Sequence, residues 1–302
     1  MKQTTTGNHL LAHASMFMAC AFWGLMAPLG KDAMTHGIDG IDMVTFRVFG
    51  GMCLFWLTSF FVKHEHVPLR DKLLFAGAGL FGLVTNQCCF TIGLSITSPV
   101  NASIVTTSMP IFAMILSALI LKEPLTGKKA CGVLLGCSGA LILILTSAHA
   151  VSDKVGDIRG DLLCLLAQFS FALYLALFNP LIKRYSVFTV NKWMFFWATV
   201  LIVPFTGSHV AAIEWGAVPR STILEIGYVV FFATYFSYIL TMVGQRTLRP
   251  TVVSVYNYVQ PIVSVTASVI LGISVLQWSQ CLAVVLVFSG VWLVVKSRAK
   301  GG

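Results

Sequence analysis

The sequence predicts an all-α, polytopic membrane protein whose ten transmembrane helices form two inverted five-helix repeats. Three observations predict it. Of the 302 residues, 57% are hydrophobic and only 10% are charged, with a mean hydropathy of +0.86. Soluble domains carry roughly 25% charged residues, so this chain has too few to build a water-facing surface. Apolar runs of roughly 20 residues recur, each long enough to cross about 30 Å of hydrocarbon as a helix. Finally, the second half repeats the first at a fixed offset of 151 residues. Pro99 and Pro110 recur as Pro250 and Pro261. The same offset pairs Gly93 with Gly244, Ser103 with Ser254, Ser117 with Ser268, and Ser138-Gly139 with Ser289-Gly290. Over 93–147 there are 11 identities in 55 positions. Apolar bias raises the chance level, but it does not align two proline frames. Internal repetition in a strongly apolar chain is a signature of transporter folds.

The ten runs fall at 11–30, 41–62, 73–96, 99–121, 129–147, 161–182, 190–207, 222–244, 251–273 and 278–296. The first holds Trp23, Gly24 and Pro28; its length argues for a retained helix and against a cleaved signal peptide. The second carries Arg47 about a turn and a half inside, and the third carries Asn86 and Gln87. The fourth opens at Pro99, a first-turn proline, and includes Asn101 and Pro110. The fifth is glycine-rich from Gly132 to Gly139. A polar segment from Ala148 to Arg159 then joins a first repeat, 1–150, to a second, 157–302. The sixth run holds Gln168, and the seventh follows at 190–207. Along the eighth, Tyr228, Phe231, Tyr235, Tyr238 and Met242 follow the spacing of one helix face. The ninth opens at Pro250 and gathers Tyr256, Asn257, Gln260 and Pro261; the tenth closes the repeat.

Charge sets the orientation, because cytoplasmic loops collect Lys and Arg. Of the 20 such residues, 15 fall on the side of both termini, 4 (Lys31, Lys154, Arg159, Arg220) on the other, and Arg47 inside a span. Both termini are therefore expected in the cytoplasm. The formal net charge of +9 follows from this topology rather than from nucleic-acid binding. Each half has five spans, so equivalent helices cross in opposite directions, and a site is expected near the midplane between the halves.

Several stretches carry a family resemblance. They are Ala21-Phe22-Trp23-Gly24-Leu25-Met26-Ala27-Pro28-Leu29-Gly30-Lys31, Phe46-Arg47, Ser98-Pro99 with Pro110, Lys122-Glu123-Pro124-Leu125, and Gly132 through Gly139. In order and spacing they resemble the EamA-type branch of the drug/metabolite transporter superfamily, over nearly the whole chain. That resemblance implies small, often amphipathic substrates, such as amino acids, their derivatives or toxic compounds, frequently exported. The family's second repeat often has a Gly-Glu pair after its fourth helix. Here that place reads Gly272-Ile273-Ser274, so Glu123 has no symmetric mate.

Arg47 is the sharpest single residue, since an ionised group inside a span is costly and points to function by default. Three uses compete: snorkelling to the outer interface, pairing with Asp42 or Glu225, or pairing with an anionic substrate group that its planar fork fits. Lys31, nearer the outer end, marks the interface. Trp23, Asn86, Asn101, Gln168, Tyr235, Tyr238, Tyr256, Asn257 and Gln260 join Arg47 as substrate-binding candidates. Any one amide can simply join helices. As a set drawn from both halves they describe a mostly apolar cavity with a few placed polar groups. Pro28, Pro110 and Pro261 lie inside spans, where each removes a backbone hydrogen bond. They serve either as packing kinks or as flexing points for alternating access.

The expectation is thus an inner-membrane carrier, in the export direction, of small amphipathic metabolites with an anionic group. The partners are the small-molecule substrate and the bilayer; a monomer suffices and the oligomeric state stays open. A drug or lipid-linked sugar exporter is the alternative within transport. An integral membrane enzyme is the alternative from another class, but it would need a paired acid and base or a metal constellation. No nucleotide or protease motif occurs, and no cofactor or metal is called for. The eight cysteines lie in apolar runs at spacings of neither a disulfide framework nor a zinc site. His64-Glu65-His66 reads as a solvated loop. For coupling, the candidates are Glu225, Glu123 and His13, against gradient-driven facilitation.

Overall fold

Helix boundaries fall where caps, prolines and turns put them. The computed structural model describes residues 2–96, 105–148, 158–270 and 278–297. In it, α1 (Lys2–Thr35) ends in a turn at Gly37, whose φ of +87° glycine adopts without strain. α2 (Gly40–Ser59) starts behind Asp39, whose N–H donates to Asp42 Oδ2 at 3.0 Å in a capping box. α3 (Leu69–Gly79) follows Pro68 and runs through a π-helical turn, Leu80–Thr85, into α4 (Asn86–Ile96). A turn at Thr107-Ser108 precedes α5 (Met109–Ile120), and α6 (Gly127–Ala148) completes the first half.

The second half opens with α7 (Ile158–Leu177), the short α8 (Asn179–Arg184) and α9 (Val187–Ala211). α10 (Arg220–Val230) continues through a second π-helical turn, Phe231–Phe236, into α11 (Ser237–Thr247). α12 (Pro250–Val255), a 3-10 turn at Tyr256–Tyr258 and α13 (Val259–Ile270) make one interrupted span, and α14 (Trp278–Val295) is last. Among the described residues, 6 helical stretches are individually long and apolar enough to cross a membrane. The fourth, fifth, ninth and tenth expected spans correspond to α5, α6, α12–α13 and α14, which are shorter, interrupted or described only in part. The chain is an all-helical, multi-pass membrane protein.

The 151-residue offset reappears as geometry. Two residues that are equivalent under a two-fold can touch only on its axis. Three hydrogen bonds join such pairs: Thr199 to the Val48 carbonyl at 3.4 Å, Gln87 to Tyr238 at 3.0 Å, and Tyr258 to the Thr107 carbonyl at 3.5 Å. The equivalent helices α2 and α9 run antiparallel. Along α2, Thr45 meets Thr206 at 2.7 Å, Phe55 meets Phe195, and Trp56 meets Lys192. Rising numbers face falling ones, so the two halves are inverted.

Small residues set the second self-crossing. A Cβ on Gly132 would sit 2.8 Å from the Gly290 carbonyl, and one on Gly139 would sit 2.7 Å from the Ala283 carbonyl. These are symmetric contacts, since Gly132 matches Ala283 and Gly139 matches Gly290. Backbone-to-backbone approach of this kind is how helices associate without a hydrophobic drive between them.

The prolines differ from their expected places in part. Pro110 stands in the first turn of α5, after the turn at Thr107-Ser108. Pro261 likewise follows the 3-10 turn, two residues into α13. In both spans the irregular turn falls just before the proline, where its missing N–H removes a helical hydrogen bond, and the backbone stays in the αR region through it. Pro28 lies within the continuous α1, and its side chain is outside the described residues, as is Pro99. Pro250 does open a helix. Pro204, inside α9, is a mid-span proline as plain in the sequence as Pro28, whereas the matched pair of π-helical turns carries no sequence signal.

Candidate functional site

Each π-helical turn delivers the next residue to the centre of the bundle. Asn86-Gln87 follows the first and Ser237-Tyr238 the second, and Gln87 Nε2 donates to the Tyr238 hydroxyl on the two-fold axis at 3.0 Å. The turn also frees backbone acceptors. Ser237 N–H reaches back five residues to Phe232, and the Ala233 carbonyl accepts Trp23 Nε1 at 2.8 Å. At the position equivalent to Ala233, a Cβ on Gly82 would lie 2.9 Å from the ring of Tyr174, which is the mate of Trp23. One aromatic from each half thus packs into the π turn of the other.

Beside this axis lies a cavity of about 200 Å³, lined by Trp23, Arg47, Asn86, Gln87, Gln168, Phe171, Tyr238, Asn257 and Gln260, with Met26, Met34, Met43, Phe90, Leu94 and Val229 among its apolar neighbours. Both halves contribute. Its wall runs along α1 from Trp23 to Met34, some 16 Å at 1.5 Å per residue, toward the end of the bundle opposite the termini. Nearer the termini, side chains from both halves tie together: His13 lies 2.8 Å from the Tyr256 hydroxyl, and Arg184 pairs with buried Asp71 at 2.8 Å; within the second half, Tyr174 donates to Gln245 at 3.0 Å.

Arg47 is the one formally charged residue on the cavity wall among the described residues. It is 7% exposed, and its Nε donates to Thr234 Oγ1 at 3.0 Å. Thr234 belongs to the second π turn and hands its own proton to the Val229 carbonyl five residues back. Neither expected carboxylate reaches Arg47. Asp42 is held by the α2 cap, and Glu225 is hydrogen-bonded to Asp32. Among the described residues no ion pair involves Arg47. Among the described residues its terminal nitrogens have no hydrogen-bond partner, and the residue lines the cavity.

The candidates divide clearly. Trp23, Arg47, Asn86, Gln168, Tyr238, Asn257 and Gln260 line the cavity. Gln260 donates to Asn257 at 2.9 Å, so these two amides act as one group. Asn86 also donates to the Ala167 carbonyl at 2.9 Å, joining α4 to α7. Tyr235 does not line it: its hydroxyl lies 2.6 Å from that of Thr58, and its ring packs on Phe55 and Phe231. The expected stripe fails there because a π turn inserts an extra residue, rotating the rest of the helix by about 100°. Tyr256 points away as well, to His13. Asn101 lies outside the described residues, as does Gly272-Ile273-Ser274. Gln87 stands out in the third span only as one polar residue among several; its value comes from a symmetry mate it touches.

The coupling candidates also have partners. Glu123 forms a buried ion pair with Lys129 at 2.8 Å and accepts from Thr251 at 3.4 Å. No carboxylate lines the cavity among the described residues.

Comparison with known proteins agrees with this geometry. The family model described as EamA-like transporter family matches residues 10–145 and again 158–296. An uncharacterized transporter of Archaeoglobus fulgidus is 25% identical over 284 residues, covering 93% of this chain and 97% of the relative. A probable amino-acid metabolite efflux pump of Escherichia coli is 28% identical over 283 residues, covering 90% of each. A solved structure titled only as a crystal structure of a protein superposes with a TM-score of 0.76 at 15% identity, over 95% of this chain and 97% of that one. At that identity the likeness concerns the fold alone.

Proposed function

Because the chain belongs to the EamA-like transporter family, we propose that it carries small amphipathic carboxylates, such as amino acids or their derivatives, across the inner membrane by alternating access. The observation that carries this reading is Arg47, buried on the cavity wall with no carboxylate paired to it among the described residues. A guanidinium at that depth is costly without a counter-charge. A substrate carboxylate supplies one in the bidentate geometry the fork favours. Met26, Met34, Met43 and Phe90 offer soft apolar surface to the rest of the substrate. The Asn257–Gln260 pair and Gln168 supply donors and acceptors for an amino group or a second polar end.

Size argues in the same direction. A cavity of about 200 Å³ falls below the roughly 300–1,000 Å³ of drug-sized sites. A small metabolite fits it better than a drug or a lipid-linked sugar. Export is the direction borne by the name of the Escherichia coli relative, and we take it over together with cytoplasmic termini from the charge asymmetry. The two halves, 1–150 and 157–302, would rock against each other about the axis through Gln87 and Tyr238. The matched irregular turns before Pro110 and Pro261 supply the flexing points. Counterflow of labelled amino acids in proteoliposomes tests the reading. Accumulation of at least one carboxylate, lost in Arg47→Ala, supports it; no carboxylate driving counterflow through the wild-type protein refutes it.

A further inference from the structure

A second, smaller cavity of about 100 Å³ lies at the end of the bundle that carries the termini, between the close of α2, the loop before α3, and the start of α9. Lys63 from the loop, Lys72 from α3 and Lys192 from α9 converge on it, with His64 and His66 at its edge. Lys72 Nζ lies 4.8 Å from the centre of the Trp193 ring, and Lys192 Nζ lies 4.0 Å from that of Trp56. The two indoles meet edge to face at 6.1 Å, and Trp197 Nε1 fixes the Lys72 carbonyl at 2.8 Å. Among the described residues none of the three ammonium groups has an ion-pair partner. The carboxylate in the pocket, Glu65, is already engaged, accepting from the Ser186 N–H at 2.9 and 3.2 Å. Three cations from three chain segments therefore share a pocket with one carboxylate, and among the described residues none of them is paired to it.

We propose that this pocket binds a phosphate group, supplied by the headgroup of an acidic phospholipid. The surroundings favour a lipid over a free anion. Tryptophans gather at the level of membrane headgroups; Trp193 lines the pocket and Trp56 packs edge to face against it. Immediately beside it, Leu57, Phe60 and Phe61 are 58%, 78% and 83% exposed, an apolar ridge suited to acyl chains. Basic pockets between spans are a known physical route to acidic headgroups. A bound headgroup would bridge α2, α3 and α9, helices from both halves, at the end of the bundle that carries the termini.

Native mass spectrometry of the full-length protein, released from nanodiscs of phosphatidylcholine mixed with phosphatidylglycerol, tests this. The wild type should retain phosphatidylglycerol in preference to phosphatidylcholine. Lys63→Gln, Lys72→Gln and Lys192→Gln should each lower that preference about fivefold, while Lys128→Gln, an exposed lysine at the same end, should leave it unchanged. The wild-type preference should also weaken with rising salt, which needs no variant to fold. Equal retention of the two lipids by the wild type overturns the proposal, and so does a preference that survives all three substitutions. Thermal stabilisation by inorganic phosphate in detergent, without enrichment of phosphatidylglycerol, would identify a free-anion site and overturn the lipid assignment.

Discussion

Gln87 and Tyr238 are separated by the 151-residue repeat and hydrogen-bonded to each other at 3.0 Å, so the axis relating the two halves passes between them. Both are buried, at 3% and 4% exposure. Tyr238→Phe leaves the Gln87 amide without its partner, at a cost of about 1–3 kcal/mol. Gln87→Leu combined with Tyr238→Phe removes both polar groups and should recover most of that loss. Thermal unfolding of the four proteins of this double-mutant cycle checks it; two losses that simply add would show that the bond carries no coupling.

The α6–α14 crossing leaves no room for a side chain at Gly132. Gly132→Val places a Cβ 2.8 Å from the Gly290 carbonyl, a backbone atom that cannot swing aside. Overpacking of this kind costs typically 1–3 kcal/mol. The variant should unfold at lower temperature, whereas Gly127→Val, where a Cβ meets nothing within 4 Å, should stay near wild type.

Glu123 and Lys129 make a buried pair, at 9% and 0% exposure. Removing one partner strands a charge, so Glu123→Ala should cost about 3–5 kcal/mol. Glu123→Met with Lys129→Leu should restore stability to near wild type, because the pair's own desolvation is then avoided. A double variant no more stable than the single one would contradict this.

Glu65 caps α9 through the Ser186 N–H, and although burial opposes it, hydrogen bonds from Thr189 and Ser186 hold its carboxyl below the usual carboxylate range. A lowered folded-state pKa contributes stability above the unfolded value, and that contribution is lost as pH falls through the folded one. Wild type should therefore exceed Glu65→Gln in stability at neutral pH, by less than about 1 kcal/mol after solvent screening. The difference should vanish at acid pH. A gap that widens on acidification would reverse the assigned sign.

The fold is largely legible because its strongest signals are written at fixed intervals. Paired prolines and glycines mark the repeat, five spans per half imply the inversion, and Arg47 stands out as a charge among apolar residues. The features that escape have a common cause. A π turn is one extra residue within a continuous helix, with no proline to mark it, and it moves Tyr235 out of the cavity and Gln87 onto the axis. The small pair Gly82 and Ala233 is its nearest sequence trace, since each admits an aromatic from the other half. The Glu65 cap joins residues 121 apart, beyond any local pattern.

The central claim is that Arg47 holds a substrate carboxylate, and it is tested most directly by comparing an amino acid with its carboxamide in binding to purified wild-type and Arg47→Gln proteins. The wild type should prefer the carboxylate by roughly thirtyfold or more, as expected when about 2 kcal/mol of charge pairing is lost. Arg47→Gln should fold, because no protein carboxylate among the described residues is paired to Arg47 in the wild type, and should no longer distinguish the two ligands. Undiminished preference for the carboxylate in Arg47→Gln would contradict the account.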